Sequence, residues 1–251
     1  MGAQVPSVSV IIRAKNEARF IGETLAAVQA QRHRDFEVIV VDSGSSDRTV
    51  EIAAGYGATL VHMDPKEFTY GRALNLGVSR SRGDLLVSLS AHSTPEGVDW
   101  LGSLVSGFRY PGVGAVYGRH IPRSNATMFE LLGMTLSGVT SKEQRIQSSS
   151  ARFSNANGAF RRELWEMMPF NELLPGAEDI EWARRIQKLG YLILFEPKAA
   201  VYHSHGESLP KLIRRQLHDQ PVILRAWLNG VLNGHLLAGR TGVRGRQSVA
   251  K

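Results

Sequence analysis

Cysteine is absent from this 251-residue chain. That excludes disulfides and thiolate metal sites and fits a reducing compartment. No apolar run is suited to span a bilayer, because Val222 to Ala238 is interrupted by Arg225, Gly230, Gly234 and His235. Val8 to Ile12 is too short for a signal-peptide core and runs at once into Arg13, Lys15 and Glu17, so a cytoplasmic chain is expected. A glycine-rich phosphate loop is missing as well. The turn after the first apolar run reads RAKNE, which disfavours a dinucleotide fold and offers no lysine-bearing cradle for a nucleotidyltransferase. Internal repeats and low-complexity tracts are also absent.

What is present is ordinary for a soluble globular protein: 43% hydrophobic and 21% charged residues, enough to bury a sizeable core. The charge is unevenly placed. From Leu209 onward there are eight basic residues and one acid, Asp219, which matches the net +7 of the whole chain and leaves the body near neutral. Aromatic residues are not interleaved with that charge beyond Trp227, so nucleic acid is not the expected partner. An acidic surface is.

The first half alternates strand and helix. VSVIIRA (Val8–Ala14), FEVIVVD (Phe36–Asp42), Ala58–Met63 and Asp84–Ser90 read as strands, the second almost wholly apolar as in a strand covered on both faces. Helices are expected over Asn16–Gln29 with Asn16 as N-cap, over Asp47–Ala54 capped by Ser45 or Ser46, and over Arg72–Ser81. Short connections between them predict right-handed βαβ units and a mainly parallel sheet flanked by helices. Further on, helices are expected at Val98–Phe108, Asn125–Leu136 and Glu178–Lys188, with Met128, Leu131, Leu132 and Leu136 forming the apolar side of the second. Strands are expected at Val113–His120, Tyr191–Phe195 and Ala199–Tyr202, and Thr140–Ser154 reads as a mobile loop.

Ligands of open α/β sheets bind beyond the carboxyl ends of the strands. DLLVSLSAHSTP (Asp84–Pro95) runs from a buried strand into a polar loop and is the expected centre of the chemistry. Asp42, closing the second strand, either accepts hydrogen bonds from a nucleotide or caps its own turn. In PGAEDIEW, Glu178, Asp179 and Glu181 would raise one another's pKa if they shared a site; the alternative is that they complement the helix dipole or pair with Arg184 and Arg185. His203 and His205 alternate along an extended segment and so point the same way, either as solvated residues or as ligands to a divalent metal together with His92.

Taken in order, SVIIRAKNE, EVIVVDSGSSDRT, FTYGRALNLG, LLVSLSAHSTP, PFNELLPGAEDIEWARR and AAVYHSH resemble a family 2 glycosyltransferase of the GT-A, nucleotide-diphospho-sugar transferase-like fold. The resemblance covers about Val8 to His205. It implies a domain over residues 1–208, a basic tail over residues 209–251, and inverting transfer of a sugar from a nucleotide-diphosphate donor to an acceptor hydroxyl. A glycan or lipid-linked acceptor in cell-surface polysaccharide, glycolipid or lipid-linked glycan synthesis is the implied setting. Donor contacts would fall at Ala14, Asn16, Asp42 and Ser43, at Arg72 and Asn75, and at Ser90, Ala91 and His92. Asp179, with Glu178, would be the catalytic carboxylate, and Asn157, Gly158 and Trp182 would serve the acceptor side.

Two departures stand out. The family's DxD metal motif reads Ser90-Ala91-His92 here, and Leu74 stands where an arginine often precedes the asparagine matching Asn75. Three consequences follow for the first. His92 binds a metal with His205 or His203, Mn²⁺ suiting imidazole better than Mg²⁺ does; or His92 touches the diphosphate directly; or the domain binds sugar nucleotide or glycan without turnover. The first is the favoured expectation, because VYHSH sits where the family places a downstream metal histidine. For the tail, peripheral contact with an anionic membrane surface is expected, with docking of Val222–Ala238 on the domain as the competitor.

Overall fold

The computed structural model describes residues 8–204. These form a nine-stranded sheet in the order β3-β2-β1-β4-β8-β6-β9-β5, with β7 added on β9. The strands are β1 (Val8–Ala14), β2 (Phe36–Asp42), β3 (Thr59–His62), β4 (Leu85–Ser90), β5 (Thr94–Pro95), β6 (Val113–Ile121), β7 (Arg145–Gln147), β8 (Asn157–Arg161) and β9 (Leu192–Tyr202). The helices are α1 (Ile21–Gln29), α2 (Thr49–Gly55), α3 (Tyr70–Ser79), α4 (Trp100–Ser106), α5 (Met128–Ser137), α6 (Arg162–Met167) and α7 (Glu178–Lys188).

Side-chain alternation along the strands divides the core in two. Val10, Ile12, Val40 and Leu89 point to one face, against Leu25 of α1, Ala53 of α2 and Trp100 of α4. Ile11, Ile39, Val41 and Leu86 point to the other, against Leu74 of α3, Leu164 of α6 and Trp182 of α7. Burial on both faces explains the continuous apolar runs of β1 and β2.

The α/β expectation holds, with a correction to the sheet. The parallel block is β3-β2-β1-β4, joined by the parallel pair β6 and β9. β8 runs antiparallel between β4 and β6, and β5 and β7 run antiparallel to β9, so the sheet is mixed. The two strands expected at Tyr191–Phe195 and Ala199–Tyr202 are one, β9, paired with β6 through a register shift between Gly118 and His120. Gly118 is required there: a Cβ would lie 1.8 Å from the Ala199 carbonyl.

Thr140–Ser154 is not a free loop. It contains β7, Arg145 lies 4.4 Å over the Phe195 ring, and Gln147 donates to the Tyr117 hydroxyl at 2.7 Å. Asn16 is not a helix cap either. Its φ of 54° puts it in the left-handed region that asparagine tolerates, and α1 begins only at Ile21. Nor do Ser45 and Ser46 cap α2, whose first turn receives Asp47 instead, accepting from the Thr49 N–H at 3.0 Å.

Candidate active site

The carboxyl ends of β1, β2, β4 and β6 converge with the head of α7 and the end of β9. Ala14 and Asp42 are adjacent in the parallel register. The Ser43 N–H and Oγ both donate to the Ala14 carbonyl, at 3.1 and 3.3 Å. Asp42 is buried and caps the turn that follows it. Its Oδ2 accepts from the N–H groups of Gly44 at 3.1 Å and Ser45 at 3.0 Å, and its Oδ1 takes the Ser45 hydroxyl. The alternative left open by the sequence thus resolves in favour of a turn cap for most of this carboxylate's hydrogen-bonding capacity. Asn16 locks the two first loops together: its Oδ1 accepts from Ser46 N–H at 2.8 Å, and its own N–H donates to Ser45 Oγ at 2.9 Å.

Histidines gather beyond β4. His92 stacks on His203 with ring centroids 4.9 Å apart and 23° between planes, and His120, at the end of β6, lies 4.9 Å from His203. The His92 Nδ1 is 2.8 Å from the Glu17 carboxylate, and the His203 Nδ1 is 2.8 Å from the Ser93 hydroxyl. Ser90 Oγ also reaches the His92 ring, at 3.2 Å from Nε2. His120 is buried, its Nε2 has no hydrogen-bond partner among the described residues, and burial, with His92 adding a smaller effect, pushes its pKa down to about 4. Of the three expected metal histidines, His92 and His203 come together, and His205 lies outside the described residues. Among the described residues no three His, Asp or Glu side chains are arranged to hold a metal ion. Sequence reading missed His120 and Glu17, although His120 stands one residue before the end of its strand, much as Asp42 and Ser90 end theirs.

Across from this cluster stands the head of α7. Ala177, at its N-terminus, holds a φ of 57°, unusual for a non-glycine residue and of the sort that concentrates at functional sites. Glu178 is buried and pairs with Arg13, the Nη1 lying 3.3 Å from Oε1, while the Asn155 amide donates to the same oxygen at 3.1 Å. Asp179 accepts from the backbone N–H groups of Asn155 at 3.3 Å and Ile180 at 2.8 Å. Dense protein around its carboxyl, then the neighbouring Glu178 charge, pushes its pKa up to about 7 against the pull of those hydrogen bonds and of Arg13. Glu181 instead pairs with Arg185, at 2.9 Å, in a partly buried ion pair, whereas Arg184 Nη1 has no hydrogen-bond partner among the described residues.

Several expected site residues are structural. Asn75 uses all its capacity inside the protein: its amide donates to the Phe170 carbonyl and to Glu172 at 2.9 Å each, and its Oδ1 accepts from Trp165 Nε1 and Phe170 N–H. It ties α3 to the segment before α7 and has no group left for a donor. Asn157 is fully buried, accepting from Trp100 Nε1 at 2.9 Å and donating to the Ala199 and Arg119 carbonyls. A Cβ on Gly158 would meet the Ser154 carbonyl at 2.5 Å. Trp182 is buried among Phe153, Phe160 and Phe170 and donates to the Met168 carbonyl. These three are therefore interior residues whose contacts are made within the fold. Arg72 is half-exposed and pairs with Glu67 at 3.0 Å.

The sequence profile of glycosyl transferase family 2 matches residues 9–167, and the chain belongs to that family. It is a glycosyltransferase of GT-A architecture. Similar proteins include the O-antigen chain rhamnosyltransferase WbaN of Salmonella anatum, 30% identical over 213 residues, 80% of this chain and 67% of that protein. The glycosyltransferase AglE of Haloferax volcanii is 29% identical over 250 residues, covering 91% and 76%. Among solved structures, the mannosyltransferase PcManGT of Pyrobaculum calidifontis, in complex with GDP-Man and Mn²⁺, superposes with a TM-score of 0.69 at 25% identity, over 89% of this chain and 65% of that one. Glucosyl-3-phosphoglycerate synthase of Mycobacterium tuberculosis, with Mn²⁺ and UDP, gives 0.63 at 21% identity, over 88% and 80%.

Proposed function

We propose that this chain transfers a sugar from a nucleotide-diphosphate donor to a hydroxyl of a cell-surface glycan or lipid-linked acceptor, with inversion, and that Asp179 is the base. The observation that carries the reading is the Asp179 carboxyl at the head of α7, beside the buried Glu178 and aimed by the N–H groups of Asn155 and Ile180, with burial and the Glu178 charge pushing its pKa up to about 7. A base is most effective when its pKa lies near the working pH. The acceptor hydroxyl gives its proton to Asp179 as its oxygen bonds to the anomeric carbon, and the bond from that carbon to the diphosphate oxygen breaks on the opposite face. Glu178 raises the affinity of Asp179 for the proton and is itself held by Arg13. The hydrogen bonds from Asn155 and Ile180 fix the direction of the carboxylate.

The residues beyond β4 fit a divalent cation by their donor chemistry. The Nδ1 atoms of His92 and His203 are engaged by Glu17 and Ser93, the arrangement that sets tautomer and orientation in metal-binding histidines. His92 and His203, with His205, would hold the ion, and an imidazole set favours Mn²⁺ over Mg²⁺. When bound, such a cation offsets the negative charge that develops on the leaving diphosphate. Ala14, Asn16, Ser43, Ser90 and Ala91 line the donor side, and Arg72 reaches the phosphates from α3. Peripheral contact with an anionic membrane, through the arginines after residue 239, completes the reading. Among the described residues no helix is long and apolar enough to cross a bilayer.

A thermal-shift comparison of UDP, dTDP, GDP and CMP, each with and without Mn²⁺, tests the donor site. A diphosphate at a hundred times its Kd stabilises by about 2.7 kcal/mol. The expected result is one nucleoside diphosphate whose shift needs Mn²⁺ and is lost in His92→Ala. No shift from any nucleotide under either condition would overturn the reading.

A further inference from the structure

The helix α5 is apolar where it meets water. In MFELLGMTLS the one charged residue, Glu130, is the one that is buried, engaged in a capping box with Thr127. Met128 and Leu136 are 75% and 73% exposed, and Phe129, Leu131 and Leu132 are exposed beside them. A helix that is apolar on its outward sides belongs in an interior, and a contiguous exposed patch of this kind marks a surface that something covers.

The fold brings the end of the described residues close to it. At the end of β9 the His203 N–H donates to the Ile121 carbonyl at 2.9 Å, and the Ser204 hydroxyl donates to Asn125 Oδ1 at 3.2 Å. The chain therefore leaves the described residues three positions before α5 begins. Seventeen residues, 205–221, can span at most roughly 60 Å, while α5 is about 15 Å long. Beyond them comes VILRAWLNGVLNGHLLA, in which Leu224, Trp227, Leu228, Val231 and Leu232 recur at helical spacing as one apolar stripe. A short tether holds such a segment at an effective concentration near the millimolar range, far above that of a second molecule.

We infer that the apolar segment Val222–Ala238 docks on the exposed face of α5 of its own chain and covers it. The arginines at 240, 244 and 246 then emerge from the docked segment rather than from a free tail.

The absence of native cysteine makes the test direct. In the full-length chain carrying Leu132→Cys and Leu228→Cys, mild oxidation is expected to give a fast-migrating, internally bridged monomer. Its yield should not depend on protein concentration, and it should form about tenfold faster than in a control pairing Leu132→Cys with Ser248→Cys, a population effect of docking. In a chain with Leu132→Cys alone, maleimide labelling should speed up about tenfold when Leu228→Asp and Val231→Asp are added, by the same equilibrium. Bridged dimers that grow with concentration would assign the face to a second copy. Thiol protection that appears only with vesicles of phosphatidylserine and phosphatidylcholine would assign it to lipid. Either result, or bridging no faster than the control with labelling unchanged by the aspartates, overturns the inference.

Discussion

Asp179 is held between opposing influences, and the balance sets both its chemistry and its cost. Burial and Glu178 favour the protonated form; Asn155, Ile180 and Arg13 favour the charged one, and the first pair prevails at about 7. On the base assignment, kcat/KM rises with pH through a limb near 7, and that limb disappears in Asp179→Asn together with about 10²–10⁴-fold of turnover. Stability moves the other way. The folded-state pKa lies above the ordinary 3.8, so the native state binds more protons than the unfolded chain between about 4 and 7. Stability therefore falls as pH rises through that window and levels off above it. Asp179→Asn should raise the melting temperature at pH 8, with the gain shrinking toward pH 4. A variant that loses turnover and is also less stable at pH 8 would place Asp179 in a merely structural role.

Arg13 offers a second measurement at the same scale. It is largely buried beside Glu178 and lies 5.0 Å over the Tyr70 ring. Arg13→Leu strands the buried Glu178 carboxylate, and an uncompensated buried charge costs about 3–5 kcal/mol. Chemical denaturation should show that loss. Arg13→Leu with Glu178→Gln should recover most of it, since no unpaired charge then remains.

Between elements, the expected site residues that proved structural are joints. Asn75 joins α3 to the approach to α7, so Asn75→Ala should cost about 3 kcal/mol by leaving Trp165 Nε1 and the Phe170 backbone unpaired in the interior. Its KM for the donor should not change while the protein remains folded; a selective rise in donor KM with unchanged stability would restore it to the donor site. The strand-helix alternation of the first half was legible because β1, β2 and β4 are buried on both faces and announce themselves as apolar runs. The antiparallel β8 was not. NGAFR is short and flanked by polar residues, and its pairing is decided by partners about 70 and 40 residues distant in sequence. Asn157 and Trp182 are assigned to the acceptor side by resemblance of motif alone. Only the fold shows that their polar atoms turn inward, to Trp100 and Met168. The polar loop after β4 and the acidic head of α7 were legible for the opposite reason: charge and imidazole at a strand end or in a first helical turn need no distant partner to be noticed. His120 escaped because nothing in VYGRHIP separates an ordinary strand end from one facing His203.

At the scale of the whole molecule, the charge is lopsided. The body is near neutral, while the residues from Leu209 carry the full net charge, three of them at Arg240, Arg244 and Arg246. Basic residues close to an anionic leaflet contribute about 1 kcal/mol each at low screening. Replacing all three by glutamine should therefore weaken binding to phosphatidylserine vesicles by ~3 kcal/mol, roughly 10²-fold, in co-sedimentation at low salt. The effect should shrink at 0.5 M salt, where the screening length falls to a few ångströms. Transfer to a soluble acceptor should not change, because the chemistry is assigned to none of these three residues, whereas transfer to a vesicle-borne acceptor should fall with binding. Equal vesicle binding by the triple variant at low salt would remove the membrane from this protein's partners and leave the tail's charge to another acidic surface.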